Sequence, residues 1–123
     1  MDLVKEAKSQ IENLSPEQVA SELESGDAVV VDLREPQELE ATGMIPGAIH
    51  APRGMLEFYA DPSLPYHKDE LERDKRIILH CASGGRSALA AKTLKDMGYT
   101  NVAHMEGGIK AWQEEGRPTQ PQS

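Results

Sequence analysis

Three short apolar runs set the tightest limit on how this chain can fold: residues 28–33 (AVVVDL), 76–80 (RIILH) and 101–105 (NVAHM). In the first two the apolar residues are consecutive and largely β-branched, the pattern of strands covered on both faces. Segments of helical character lie between them. Residues 14–26 (LSPEQVASELESG) carry a full set of helix signals: Ser15 as N-cap, Pro16 at the first position, Gln18 completing a capping box, Leu14 and Val19 as a staple, and Gly26 as the stop. A short helix is expected from Pro36 to Gly43, and another within residues 53–62. Residues 86–98 (RSALAAKTLKDMG) form the clearest helix, with Leu89, Ala90, Leu94 and Met97 on its apolar face and Gly98 ending it. Residues 107–116 supply a closing helix. Strands alternating with helices imply an α/β fold, a central parallel sheet with helices on both faces.

Residues 44–51 (MIPGAIHA) read as a turn entering a brief strand, and residues 63–75 as a polar connection with room for one more helical turn. The tail 117–123 (RPTQPQS) is polar and expected to fray. A chain of 123 residues suffices for one sizeable core, so residues 1–123 are read as a single domain.

Composition removes several function classes. The net charge of −8 opposes nucleic-acid binding, which needs clustered Lys and Arg, and the five aromatic residues do not interleave with basic ones. The apolar runs are too short to span a bilayer, and the first 14 residues lack an apolar signal core. One cysteine excludes an intramolecular disulfide, and a reducing, cytoplasmic location is the expectation. His50, His67, His80 and His104 are scattered along the chain, so no metal site is expected.

The chemistry gathers at the single cysteine. Cys81 follows the 76–80 strand, and ligands of open α/β sheets bind beyond the carboxyl ends of strands. An isolated cysteine there is usually a small hydrophobe. The residues after it favour a chemical role. Ala82, Ser83, Gly84 and Gly85 put little bulk around the sulfur, and a tight turn into a helix can aim several N–H groups at one point. Arg86 adds a fixed charge, and Ser83 and Ser87 offer hydroxyl donors. Such surroundings favour thiolate over thiol. Ser83 and Ser87 serve equally well as turn and helix-start residues.

These residues resemble the single-domain rhodanese family over about residues 14–116. Its Cys-x-x-Gly-x-Arg-Ser signature stands here as Cys81 to Ser87; Asp32-Leu33-Arg34-Glu35-Pro36, Ile45-Pro46-Gly47-Ala48 and Glu106-Gly107-Gly108-Ile109 with Ala111-Trp112 match further family elements in order. The resemblance implies a sulfurtransferase without metal or organic cofactor. Cys81 would take a sulfane sulfur from a donor such as thiosulfate, become a persulfide, and pass the sulfur to cyanide or a thiol. Arg86 and the N–H groups of residues 82–86 would cradle it. A sulfur-relay protein is a further conceivable partner.

The rivals are a binding module that relays sulfur without turnover, and a cysteine phosphatase or arsenate reductase. The latter families read His-Cys-x5-Arg, seven residues from Cys to Arg, whereas Cys81 to Arg86 spans six despite the His80-Cys81 start. Two departures stand out: Met44 replaces the family's usual His, and Ala82 replaces the basic residue of many thiosulfate users. Asp32 and Arg34 are most simply loop supports, and Arg53 is the candidate second anion contact. Met55, Leu56, Phe58 and Tyr59 either line the pocket mouth or, as helical spacing more often means, face the core.

Overall fold

The runs at 28–33, 76–80 and 101–105 become the middle of a five-stranded parallel sheet in the computed structural model, which describes residues 2–121. The strands are β1 (Glu12–Leu14), β2 (Ala28–Asp32), β3 (Ile49–His50), β4 (Arg76–His80) and β5 (Val102–Met105), in the order β1-β5-β4-β2-β3. The helices are α1 (Leu3–Lys8), α2 (Pro16–Ser25), α3 (Pro36–Thr42), α4 (Leu56–Ala60), α5 (Gly85–Asp96) and α6 (Gly108–Glu114), with a 3-10 turn at Arg53–Met55. Among the described residues, no helix is long and apolar enough to cross a membrane.

Strand pleating divides the core into two layers. Val31, Ile77 and Leu79 face α4 and α5, packing on Leu56, Ala60, Ala90, Ala91 and Leu94. Val30, Ile78, Ala103 and Met105 face the other way, onto Val19 of α2 and Ile109 and Trp112 of α6. The α2 caps are as read: Ser15 Oγ accepts from Gln18 N at 3.1 Å, Gln18 Oε1 accepts from Ser15 N at 2.8 Å, and Gly26 closes the helix at φ 78°.

Four readings need correction. Leu89 lies off the buried face of α5, which is made by Ser87, Ala88, Ala90, Ala91 and Leu94; small residues let the helix approach the sheet closely, and Leu89 turns toward Leu3 and Ala7 of α1. The 63–75 connection holds no helix. Pro62 precedes it and Pro65 interrupts it, and its anchor is buried Leu71, whose carbonyl receives the Tyr99 hydroxyl at 2.6 Å. The tail is pinned as far as Gln120, which pairs with Met44 in an antiparallel bridge, while Trp112 Nε1 donates to the Pro118 carbonyl at 2.8 Å; Gln122 and Ser123 lie outside the described residues. Finally, α1 and β1 form where no element was expected. Asp2 caps α1, accepting from Val4 N at 3.0 Å, and β1 adds an edge strand beside β5.

Candidate active site

The loop from Cys81 to Gly84 bends sharply between β4 and α5. Gly84 makes the turn possible: its φ of 112° lies where a side chain would be strained. Its N–H then points back at the cysteine and meets Sγ at 3.2 Å. Ser87, in the first turn of α5, brings its hydroxyl to 3.6 Å from Sγ. Cys81 is 1% exposed, and burial by itself pushes the thiol up. The Ser87 hydroxyl and the N–H groups of Ser87, Gly84 and Ser83 outweigh that effect and leave Cys81 below its ordinary value. The short side chains at 82–85 are thus what lets backbone donors surround the sulfur.

The loop is held from behind by the start of α6. Ile109 N donates to the Cys81 carbonyl at 2.9 Å, and Lys110 N to the Ala82 carbonyl at 3.1 Å. These two carbonyls are thereby taken up by α6, and the N–H groups of Ser83, Gly84 and Ser87 are the ones that reach the sulfur. Gly108 is required for this approach, because a Cβ there would lie 2.6 Å from the Ala82 carbonyl and closer still to that of Cys81.

Arg86 follows the loop in the first turn of α5 and is held by a partner that sequence reading missed. Its Nη1 and Nη2 donate to Glu38 Oε1 and Oε2, each at 2.8 Å. Hydrogen bonding to Arg86 draws the Glu38 carboxyl down to about 2 against a smaller opposing effect of burial. Glu38 sits at the third position of α3, where it also closes a capping box by accepting from Glu35 N at 2.9 Å. The sequence placed a helix start at Pro36, but neither this capping box nor the reach to Arg86 was read from it.

Asp32 and Arg34 form a buried pair at the end of β2. Arg34 Nε donates to Asp32 Oδ1 at 3.0 Å and Nη2 to Oδ2 at 2.8 Å; the remaining donors reach Thr42 Oγ1 at 2.6 Å and the Gly43 carbonyl at 2.7 Å. The pair thereby ties the end of β2 to the end of α3. His80 lies beside it, fully buried, with Nε2 3.6 Å from Asp32 Oδ2. Arg53 is directed elsewhere: it donates to Glu57 at 2.8 Å and to Thr93 of α5 at 3.4 Å. Leu56 enters the core, whereas Phe58 is exposed and meets Tyr66 edge-on.

A second group was missed. Ser87 Oγ lies 3.0 Å from His104 Nδ1, and the other ring nitrogen of His104 meets Asn13 Oδ1 and Glu106 Oε1 at 2.8 Å each. Lys8 of α1 completes the set on Glu106 Oε2 at 3.2 Å. His104 looked isolated among the four histidines. The available signal was topological: it stands near the carboxyl end of a strand that neighbours β4 in a parallel sheet.

Comparison with known proteins agrees with this architecture. The family model for the rhodanese-like domain matches residues 15–115. A sulfurtransferase of Allochromatium vinosum is 36% identical over 92 residues, 75% of this chain and 78% of its own. The polysulfide-sulfur transferase homodimer of Wolinella succinogenes superposes with a TM-score of 0.78 at 36% identity, over 98% of this chain and 85% of that one. A Rhodopseudomonas palustris protein of unknown function, designated a possible tyrosine phosphatase, superposes with a TM-score of 0.90 at 48% identity, over 95% and 90% of the two chains. On the match spanning residues 15–115 and the sheet, loop and helix that carry it, this chain belongs to the rhodanese-like domain family.

Proposed function

We propose that this protein is a sulfurtransferase that works through a persulfide on Cys81. The observation that carries the reading is the convergence of Gly84 N–H and the Ser87 hydroxyl on a buried sulfur whose acidity is raised. The thiolate attacks the outer sulfur of a donor such as thiosulfate. A new S–S bond forms at Sγ while the donor's S–S bond breaks, and sulfite leaves with the bonding pair. Cyanide or a thiolate then attacks the outer sulfur of the persulfide and the Cys81 thiolate returns. Arg86 stays cationic beside Glu38 and offsets the charge of the loaded sulfur. The sulfur-transferring relatives support this class of reaction, and donors and acceptors are sought among small sulfane-sulfur compounds and thiols, including a relay protein.

The designation of the R. palustris protein makes phosphatase chemistry the competing reading. The spacing weighs against it. Six residues from Cys81 to Arg86 close a smaller ring than seven, suited to one sulfur atom rather than a tetrahedral phosphoryl group.

The deciding experiment is the intact mass of the reduced protein after thiosulfate or polysulfide, and again after cyanide. The expected result is a gain of one sulfur atom, absent from Cys81→Ala and reversed by cyanide with release of thiocyanate. No gain with either donor, or hydrolysis of an aryl phosphate faster than sulfur transfer, overturns the proposal. A gain with polysulfide alone assigns the donor to the persulfide class.

A further inference from the structure

The ring of His104 offers its two nitrogens to different chemistry. Nε2 faces two acceptors, Asn13 Oδ1 and Glu106 Oε1. The orientation of Asn13 is set by its Nδ2, which donates to the carbonyls of Lys8 and Ile11 at 3.0 and 3.1 Å. Nε2 therefore carries a hydrogen, and in the neutral ring Nδ1 is left with a free lone pair. That lone pair faces Ser87 Oγ at 3.0 Å, and Ser87 Oγ in turn faces Cys81 Sγ at 3.6 Å. Sulfur, hydroxyl and imidazole thus form a continuous chain inside the protein, since Cys81, Ser87 and His104 are all buried.

We infer that His104, acting through the Ser87 hydroxyl, accepts the proton that Cys81 loses on becoming a thiolate. The Cys81 S–H bond breaks as an O–H bond forms at Ser87; the original Ser87 O–H bond breaks as an N–H bond forms at Nδ1. The sum is thiol plus imidazole giving thiolate plus imidazolium, with no electrons exchanged. In the product state Nδ1–H donates to Ser87, and the Ser87 hydrogen turns to the thiolate. His104 is a positioning residue in this scheme, because it reaches the sulfur only through Ser87.

The surroundings fit that role. The charged groups facing His104 are Glu106, just past the end of its own strand, and Lys8 of α1, which pairs with Glu106; the contacts from β1 and α5, Asn13 and Ser87, are neutral. Burial pushes the ring below its ordinary value, Glu106 draws it partly back, and Lys8 adds a small downward effect. A ring kept neutral near pH 7 is free to accept, and the Glu106 carboxylate stabilises the imidazolium once it forms.

The test is the pH profile of Cys81 alkylation by iodoacetamide in the full chain. It concerns the nucleophile of the proposed transfer, yet needs no sulfur donor, so either proposal can fail without the other. His104→Asn keeps an acceptor near the Nδ1 position but cannot take up a proton. Its alkylation midpoint is expected to rise by about one pH unit, slowing alkylation about tenfold on the acid limb. Ser87→Ala should shift the midpoint in the same direction, Ser87→Thr should restore it, and adding His104→Asn to Ser87→Ala should change nothing further. Glu106→Gln, at a side chain 42% exposed, shifts the midpoint the same way and serves if His104→Asn does not fold. An unchanged profile in His104→Asn and Glu106→Gln overturns the inference, as does a full His104→Asn shift in the Ser87→Ala background.

Discussion

Glu38 grips both arms of Arg86: its two carboxylate oxygens accept from Nη1 and Nη2 at 2.8 Å each. The loop's cation is thereby aimed from α3, and an anionic donor approaching Cys81 meets a guanidinium that is already half satisfied. The acidic surface adds to that repulsion, so local donors rather than long-range attraction must hold the donor.

Glu38→Gln removes the competing charge and is expected to lower the KM for thiosulfate. A partly exposed ion pair is worth up to about 1 kcal/mol, which sets the gain at up to about fivefold. Arg86→Ala should raise KM and move Cys81 alkylation to higher pH. Steady-state kinetics distinguish the two; a raised KM in Glu38→Gln would mean that the aim Glu38 gives Arg86 outweighs the charge it cancels.

Gly108→Ala should disturb the loop from behind. Its φ of 58° and the nearby Cys81 and Ala82 carbonyls leave no room for a Cβ. The strand-to-helix contact must open, at roughly 2–3 kcal/mol of stability. Thermal melting and sulfur transfer are expected to fall together, whereas Gly116→Ala, where no atom lies within 4 Å, changes stability through backbone strain alone and leaves transfer intact.

Arg34→Ala strands the buried Asp32 carboxylate. Breaking one side of such a pair costs about 3–5 kcal/mol, and Arg34→Lys, which lacks the planar fork, recovers little of it. Burial alone would raise the Asp32 pKa, but the Arg34 hydrogen bonds and other favourable contacts hold it below its ordinary value. The carboxylate's contribution is therefore fully present above about pH 4 and is lost as pH falls through the lower folded value. Denaturant titrations of the three proteins from neutral to acid pH check both magnitude and sign.

His80 and His104 are both held below the ordinary histidine range, burial being the main cause in each. The unfolded chain takes up protons at these sites near pH 6.5 while the folded chain stays neutral to lower pH. Stability is then fullest above that pH and declines as acidification proceeds toward the folded values. The melting temperature is expected to drop between about pH 7.5 and about pH 5.5, with His80→Asn flattening the slope by about half. His80 suits the substitution, since its Nε2 has no hydrogen-bond partner among the described residues.

Neighbouring residues determined much by themselves. The apolar runs marked β2, β4 and β5; Ser15, Gln18 and Gly26 bounded α2; and the small residues before Arg86 marked a tight turn at the lone cysteine. Each depends on contacts within a few positions along the chain, or on a pattern of burial that repeats with the strand or helix period. The short α1 and β1 carry too few apolar residues to announce themselves: α1 buries only Ala7 and β1 only Leu14.

Tertiary structure decided who meets Cys81. Glu38 is 48 positions from Arg86, His104 is 17 from Ser87, and Lys8 is 98 from Glu106. They converge because the strand order sets β5 and β2 on either side of β4 with their carboxyl ends at one edge, where α3, α5 and α6 begin. Strand order and register depend on how whole layers pack, so no local pattern in the sequence records them. The loop could be read from its own residues; the groups that aim its arginine, back its carbonyls and face its serine required the fold.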